Sequence, residues 1–361
     1  MRHVLRPVAA VAAGLMLATT LAGPAAAAAD DRSGRWLKQQ LTGGLVHNNQ
    51  YDFDDYGLTA DLALALDAIG GQRKAERKIR RAIAPHVDSW TTGADWGSSD
   101  VYAGSVAKAV VLAQATGGDP TRLGGKDLVQ RLEGLVSNVP GQVGRIEDET
   151  TGTDYANTIG QAFAARGLAR AGSDRAGDAL RFLLQQQCDA GYFRLAFAPK
   201  AAPDQSCDGG DAASSAPSTD VTALSVINLL ESGRKGKVVR NAVNDAVSWL
   251  KQQQKTNGSF GGSEEGSNTN STGLAAWALG ERGSCRPAVK AAGWVDKLTV
   301  GRGQAGTPLA GETGAIAYDR AGYRTAKQDG ITVEAEDQWR RATTQAAPAL
   351  SFLTVEQCRN R

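Results

Sequence analysis

The chain has 361 residues, of which 42% are hydrophobic and 6% aromatic, with 40 basic against 38 acidic side chains. Because Arg2 and Arg6 lie in a predicted leader, the mature chain would be formally neutral, with 38 residues of each sign. This balance excludes the strongly basic and strongly acidic classes of protein, and we expect no nucleic-acid partner.

The N-terminal residues are typical of a secretory signal peptide. An apolar stretch runs from Val8 to Ala22, and the GPAAAAADD that follows offers small residues for cleavage near Ala28 or Ala29. No later stretch approaches the roughly 20 apolar residues that a membrane span needs. We therefore expect a signal peptide at residues 1–29, a secreted extracellular chain, and one domain over residues 30–361.

Four cysteines remain, an even number that in an exported chain favours disulfides over a metal site or a catalytic thiol. Cys188 and Cys207 flank one loop and are the preferred pair, which leaves Cys285 and Cys358 to join the last repeat to the C-terminal tail. Three pairings are possible in principle, so this preference depends on locality alone. We expect no metal and no cofactor.

One phrase recurs along the chain, as WLKQQLTGGL from Trp36, FLLQQQCDAGYF from Phe182 and WLKQQQKTNGSFGG from Trp249. Such a repeat fixes the architecture before it indicates any chemistry. Glutamine-rich or glycine-rich turns precede helices that begin near a capping residue and continue in small apolar residues. Six such starts are predicted, at Asp54, Ser99, Asp154, Ser218, Asn270 and Gly311.

The helices between these starts have one polar face. In VRNAVNDAVSWLKQQQ, Val239, Val243 and Val247 share a stripe from which Arg240 and Asn244 face away. Helices rich in Ala and Leu, by contrast, are buried on nearly all sides. Six buried and six amphipathic helices predict an all-α (α/α)6 toroid with the buried set as an inner ring, and EDQWRRATTQAAPALSFL as a closing helix.

The repeat W/F-L-x-x-Q-Q, followed by a glycine turn and [ST]-x-x-A-x-x-A-L, resembles that of the prenyltransferase and squalene-cyclase superfamily. It looks most like secreted single-toroid actinobacterial members, and more distantly like the helical domain of cobalamin carriers related to intrinsic factor. The resemblance covers essentially the whole mature chain and implies the terpenoid-cyclase type of toroid. One fold hosts many functions, so it does not by itself imply an activity.

Two enzymatic patterns of this superfamily can be compared with the chain. Protein prenyltransferases hold zinc with Asp, Cys and His, but the mature chain has only His47 and His86, and its cysteines are expected in disulfides. Squalene-type cyclases use an Asp-x-Asp-Asp acid, which the DFDD of Asp52 to Asp55 matches in spelling. We expect Asp54 or Asp55 to cap a helix instead, because aromatic residues are few and a short motif often matches by chance.

In such a toroid the N-termini of the inner helices converge on one mouth. Acidic, amide and aromatic side chains there could form a rim for a polyhydroxylated or peptide-like ligand, although most could equally be helix caps. Asp52, Asp61, Asn157 and Asn268 belong to this mouth. The candidate binding residues are Asp54, Asp55, Tyr56, Trp96, Asp100, Tyr102, Asp154, Tyr155, Asp220, Asn270 and Glu312.

These features favour a non-catalytic binding or scaffold module that uses the mouth for a small molecule, a glycan or a protein partner. The alternative is an extracellular polysaccharide-active hydrolase or lyase with Asp55, Asp100 and Asp220 as candidate acid and base. Terpene-cyclase-like chemistry at Asp52 to Asp55 ranks last. The sequence indicates no oligomeric state.

Overall fold

The computed structural model describes residues 27–210, 213–261 and 266–361, and residues 1–26 of the predicted signal peptide lie outside the described residues. A small antiparallel sheet pairs Thr42 with Leu45 and His47 with Asp54. Its strands are β1 Leu41–Thr42, β2 Leu45–Asn48 and β3 Phe53–Asp54, and short 3-10 turns occupy residues 84–86, 94–96 and 347–352. The α-helices of the described residues are α1 Ala27–Gln39, α2 Tyr56–Ile69, α3 Arg73–Ile83, α4 Val87–Thr91, α5 Ala103–Ala115, α6 Leu128–Gly134, α7 Thr158–Ala171, α8 Ala176–Gln185, α9 Thr219–Glu231, α10 Lys237–Gln253, α11 Thr269–Glu281, α12 Cys285–Asp296, α13 Arg320–Asp329, α14 Val333–Ala346 and α15 Val355–Arg359.

Six helices form a closed inner ring. Helices α2, α5, α7, α9, α11 and α14 each pack against the next in that order, and α14 packs back on α2. Helices α1, α3, α6, α8, α10 and α12 alternate with them along the chain as an outer ring. Ten of the 13 residues of inner helix α11 are buried, against seven of the 17 in outer helix α10, as the composition of the two sets predicts. The predicted (α/α)6 toroid is confirmed.

Glutamine and glycine in the repeated phrase fasten each turn to the next outer helix. The Gln187 amide donates to the carbonyls of Gly191 and Ala242, and the Gln254 amide donates in the same way to Gly258 and Pro287. Gly258 has φ +95°, and a Cβ there would lie 2.5 Å from the Lys290 carbonyl oxygen in α12. Only glycine permits both this φ and this approach.

The need for glycine at a turn also corrects the predicted position of the sixth inner helix. The segment from Gly311 was expected to begin that helix, but Gly314 has φ +102°, and a Cβ there would lie 2.3 Å from the Arg32 carbonyl oxygen of α1. Gly314 therefore belongs to a turn of the Gly258 type. The sixth inner helix is α14, which overlaps the segment expected to be a closing helix and buries Trp339, Ala342 and Ala346.

Four of the six inner helices start at a capping residue of the predicted type, some of them shifted by a few residues. Asp55 caps α2 and Ser218 caps α9, whereas α7 is capped by Asn157 and α11 by Asn268. Helix α5 has no side-chain cap of its own. Asp148 of a neighbouring loop accepts the Ala103 N–H at 2.7 Å and supplies the missing acceptor.

Cys188 bonds Cys207 and Cys285 bonds Cys358, so the pairing favoured by locality is confirmed. The second bond ties α15 to outer helix α12. None of the helices in the described part of the chain is both long and apolar enough to cross a membrane.

Candidate functional site

Three inner helices carry an acidic side chain in their last turn: Asp67 in α2, Glu231 in α9 and Glu281 in α11. The helix dipole is negative at this end and disfavours a carboxylate there. Residues that oppose local stability in an otherwise regular fold are expected at functional sites. The C-terminal end of the inner ring is therefore the first place to look for chemistry.

These three carboxyl groups line one cavity on the axis of the ring, which we call the axial cavity. Its volume is about 390 Å³, within the range of small-molecule sites. All six inner helices contribute to its wall. The apolar lining is Leu64, Ala65, Ala68, Ile159, Phe163, Leu224, Ile227, Leu274 and Trp277, and the polar lining is Asp61, Asp67, Lys108, Arg166, Asn228, Glu231, Glu281, Thr344, Gln345 and Arg361.

Glu281 lies between an aromatic ring and a cation. Trp277 lies one helical turn before it on α11 and lines the same cavity, and an Arg361 guanidinium nitrogen lies 3.7 Å from the Glu281 carboxyl oxygen. The Arg361 guanidinium also donates to the carbonyls of Ala68 and Ile69 at the end of α2. These bonds hold Arg361 across the C-terminal end of the axial cavity.

Burial raises the pKa of the Glu281 carboxyl above its ordinary value. Arg361 and the Trp277 side chain act against the rise, whereas the negative charge of Glu231 adds to it. Burial likewise raises the pKa of Asp67, with Arg73 opposing the rise and Glu231 adding to it. Both carboxyl groups therefore keep a proton to higher pH than an exposed acid would.

The remaining charges of the axial cavity are paired. Lys108 lies 2.8 Å from Asp61 and 5.7 Å from the centre of the Phe163 ring. A guanidinium nitrogen of Arg166, a side chain only 8% exposed, lies 3.8 Å from a Glu231 oxygen. Each of these two cations therefore lies beside a carboxylate of the same cavity.

Three buried polar atoms of the axial cavity have no hydrogen-bond partner among the described residues. They are Asn228 Oδ1, Thr344 Oγ1 and Arg166 Nε, in residues that are 2%, 3% and 7% exposed. Burying a polar group without a partner costs about 1–3 kcal/mol. A bound polar group could supply the missing partners, which makes these atoms a second indication that the cavity takes a ligand.

The predicted mouth contains a separate cavity of about 640 Å³ at the N-terminal end of the ring. Asp220 and Asn270 of the predicted set line it, together with the predicted cap Asn268. Arg341, also in its lining, lies 2.6 Å from Asp55, so this predicted residue is joined to the same cavity. The structure therefore brings Asp55, Asp220 and Asn270 together at the mouth.

The DFDD segment lies outside the axial cavity. Asp55 accepts the Leu58 N–H as the cap of α2, which confirms the capping role expected for Asp54 or Asp55. Asp54 and Asp52 flank His47, at 3.0 Å and 3.3 Å. These carboxyl groups are engaged in a cap, an ion pair and contacts with His47, and none of them lines the axial cavity.

The other candidate binding residues line neither of these two cavities. Tyr56 stacks on His86, Trp96 and Tyr155 are exposed, and Asp154 accepts the N–H groups of Asp148 and Ala156. Asp100 and Tyr102 pair through their backbones with Gly93 and Thr91. Glu312 accepts a hydrogen bond from Trp36 at 2.6 Å. Asp61 is the one residue assigned to the mouth that lines the axial cavity instead.

Within the described residues, no group of three His, Cys, Asp or Glu side chains is arranged to hold a metal ion. No protein-family model and no curated protein sequence matches the chain.

Several solved structures are similar to this one over nearly their whole length. A variant of the type II terpene cyclase MstE from Scytonema, in complex with its substrate geranylgeranyl dihydroxybenzoate, has a TM-score of 0.59 at 16% identity, covering 92% of this chain and 97% of that one. A protein from Actinoplanes gives 0.57 at 17%, covering 91% and 99%. A glycosidase variant gives 0.53 at 13%, covering 92% and 100%.

The expectation of a non-catalytic binding or scaffold module is wrong. Similar structures over the whole toroid are those of a type II terpene cyclase holding its substrate and, in another variant, its product merosterolic acid A. Of the candidate residues for the polysaccharide alternative, Asp220 lines the mouth cavity, Asp55 is paired with Arg341 of its lining, and Asp100 does not line it. At these identities the comparisons show the fold, an α/α toroid of the terpenoid-cyclase type.

Proposed function

We propose that this protein is an enzyme that cyclises an isoprenoid substrate in the axial cavity, with the Glu281 carboxylic acid as the proton donor. The observation that carries the proposal is the placement of a half-buried carboxyl group beside Trp277 in a largely apolar cavity. The likeness to a type II terpene cyclase over the whole chain supports it.

An alkene is a weak base, so its protonation needs a neutral carboxylic acid close to it. The raised pKa of Glu281 favours this neutral form. When the proton is transferred, the π electrons of the alkene form the new C–H bond and leave a carbocation on the neighbouring carbon. A second alkene of the same chain closes a ring by attacking this carbocation.

The cavity wall would stabilise and protect the carbocation that forms after protonation. The Trp277 ring can stabilise the carbocation through its negative face, and the aliphatic wall keeps out water that would capture it. Loss of a proton from the cyclised cation to the Glu281 carboxylate gives a neutral product and restores the acid. The reaction is then an isomerisation without a net change in atoms or electrons.

Asp67 is the second carboxyl group of the axial cavity with a raised pKa. It lies 3.4 Å from Arg73 and lines both the axial cavity and a depression on the outer surface. The Asp67 and Glu281 side chains are equally exposed, at 29%, and each lies beside one arginine. The choice of Glu281 as the donor therefore depends on Trp277, which lies one helical turn away on α11 and lines the same cavity.

Incubation with a panel of geranyl, farnesyl and geranylgeranyl compounds, followed by mass spectrometry, tests the proposal. We expect a product with the mass of its substrate and fewer double bonds. Glu281→Gln should lower turnover at least ~100-fold, as loss of a general acid does. Asp55→Asn, in a carboxylate outside the cavity, is the matched control and should leave turnover within a few-fold of the parent.

Absence of any cyclised product from the whole panel would contradict the proposal. So would a Glu281→Gln variant with the activity of the parent.

We also propose that the chain is exported after removal of residues 1–29, and that residues 30–361 make up the toroid. The signal-like N-terminal sequence and the two disulfides support export, because disulfides persist mainly in oxidising compartments. The N-terminal sequence of the protein purified from culture medium tests both statements. Recovery of the intact N-terminus in the cytosol would contradict them.

A further inference from the structure

Outer helix α3 carries an unusual concentration of positive charge. Its eleven residues, RKAERKIRRAI, include six of the chain's 40 basic residues and one of its 38 acidic residues. The remainder of the chain therefore has a slight acidic excess. The neutrality of the whole sequence conceals a local segregation of charge.

The basic residues divide into two groups. Arg73 and Arg80 are held by the protein, through Asp67 and Glu76 for the first and through the Thr116 carbonyl for the second. Lys74, Arg77, Lys78 and Arg81 are exposed and form no ion pair within the described residues. Their spacing of i, i+3, i+4 and i+7 places these four on one face of the helix, as a stripe about 10 Å long.

This stripe forms one wall of a surface groove of about 1010 Å³. Lys38 of α1 lines the groove as well, with its ammonium 2.8 Å from the Gln72 side-chain oxygen. The remaining lining is glycine, alanine, Leu41 and Gln72. Five cations therefore face one groove whose lining, among the described residues, includes no acidic side chain.

Like charges this close repel one another unless an anion binds between them. The pKa of Arg80, beside the stripe, is lowered first by burial and then by the positive charges of Arg81 and Arg77. Because none of the four exposed cations forms an ion pair within the described residues, their charge is available to an external anion. A concave surface of one sign concentrates counter-ions of the opposite sign.

We propose that this groove binds a linear polymer of aliphatic phosphodiesters, such as a polyol-phosphate chain. Repeated phosphates match a row of lysine and arginine side chains, since arginine binds phosphate through two parallel N–H groups and lysine through a point charge. The lining has no aromatic side chain on which a nucleobase could stack, which favours a polymer without bases. The groove is also concave, which suits a single chain better than a flat bilayer surface.

Binding of fluorescent poly(glycerol phosphate) of about ten repeats, measured by anisotropy at several salt concentrations, tests the proposal. If four phosphates are neutralised, the logarithm of affinity should fall with a slope near −2.8 against the logarithm of salt, or about 50-fold between 50 and 200 mM. The variant with Lys74→Gln, Arg77→Gln, Lys78→Gln and Arg81→Gln should lose at least ~10-fold in affinity at the lower salt.

A matched control removes four exposed cations from another outer segment, by Arg234→Gln, Lys235→Gln, Lys237→Gln and Arg240→Gln. This variant has the same net charge and should bind within two-fold of the parent. All eight positions are exposed, and melting temperatures of both variants should confirm that they fold. If the first does not, Lys74→Gln with Lys78→Gln should still reduce the salt slope by about 1.4.

Three results would overturn the proposal. In the first, the α3 variant binds as the parent does. In the second, the control loses as much affinity as the α3 variant, so that only net charge matters. In the third, single-stranded DNA or phosphatidylglycerol vesicles of equal phosphate content bind more tightly than the polyol-phosphate chain.

Discussion

At the scale of single residues, the axial cavity contains two carboxyl groups that keep their protons to higher pH than exposed acids do. Glu281 and Asp67 have raised pKa values because burial disfavours their charged forms and Glu231 adds negative charge. Such groups hold protons in the folded state that the unfolded chain has already released. Their contribution to stability is therefore present at low pH and is lost as pH rises through the folded-state pKa.

The loss of this contribution with rising pH gives a prediction for Glu281→Gln. The amide cannot ionise, so the variant does not lose stability as the carboxyl group of the parent deprotonates. We expect the free energy of unfolding of the variant, relative to the parent, to increase between about pH 4 and pH 7. Urea titrations at both pH values measure it, and a relative stability that falls over this range would contradict the raised pKa of Glu281.

Asp55, unlike Glu281 and Asp67, stabilises the fold, because it caps the N-terminus of α2. Asp55→Asn keeps an oxygen that can accept the Leu58 N–H, whereas Asp55→Ala removes it. Both variants lose the ion pair with Arg341. We expect the Ala variant to be less stable than the Asn variant by about 1 kcal/mol in urea unfolding, and equal stabilities would argue against a cap.

At the scale of secondary-structure elements, the turn glycines decide where one repeat ends and the next begins. Gly258 combines a positive φ with close contact to the α12 backbone, whereas Gly283 has φ +76° and open space around its Cα. Alanine at Gly283 should cost about 1–2 kcal/mol for the left-handed conformation alone. Alanine at Gly258 should cost more, because its Cβ must also displace the Lys290 carbonyl.

The free energies of unfolding of Gly258→Ala and Gly283→Ala, measured side by side, check this difference. Equal losses would mean that the close approach to α12 contributes nothing. A close contact of the same kind, between Gly314 and the Arg32 carbonyl of α1, explains why the segment at Gly311 to Gly314 is a turn and not the start of an inner helix.

At the scale of the whole molecule, the two disulfides close loops of very different length. The Cys285–Cys358 bond spans 73 residues and the Cys188–Cys207 bond spans 19. In the chain-entropy model these loops contribute about 4 and about 3 kcal/mol. Replacing both cysteines of a pair by serine should therefore lower the unfolding free energy more for the longer loop, and the reverse order would contradict this model.

The fold was predictable from the sequence because the repeated phrase, the buried helices and the amphipathic helices all indicate one ring. The acids of the axial cavity are indicated less clearly than the repeats. Their pattern is a charged residue near the end of an apolar helix, as in NLLES at Glu231 and LGERG at Glu281. The sequence does not show which ends of the helices enclose a cavity. Attention to the N-terminal mouth, where caps concentrate polar residues, therefore missed Glu281 and Asp67.

The origin of the transferred proton tests the central claim most directly. In D₂O, a proton donated by Glu281 equilibrates with solvent, so the cyclised product should carry one deuterium that its substrate lacked. Under the same conditions Glu281→Gln should give no labelled product, while Asp55→Asn should give it at the rate of the parent. A cyclised product without deuterium, or labelling that survives Glu281→Gln, would contradict the assignment of Glu281 as the acid of the axial cavity.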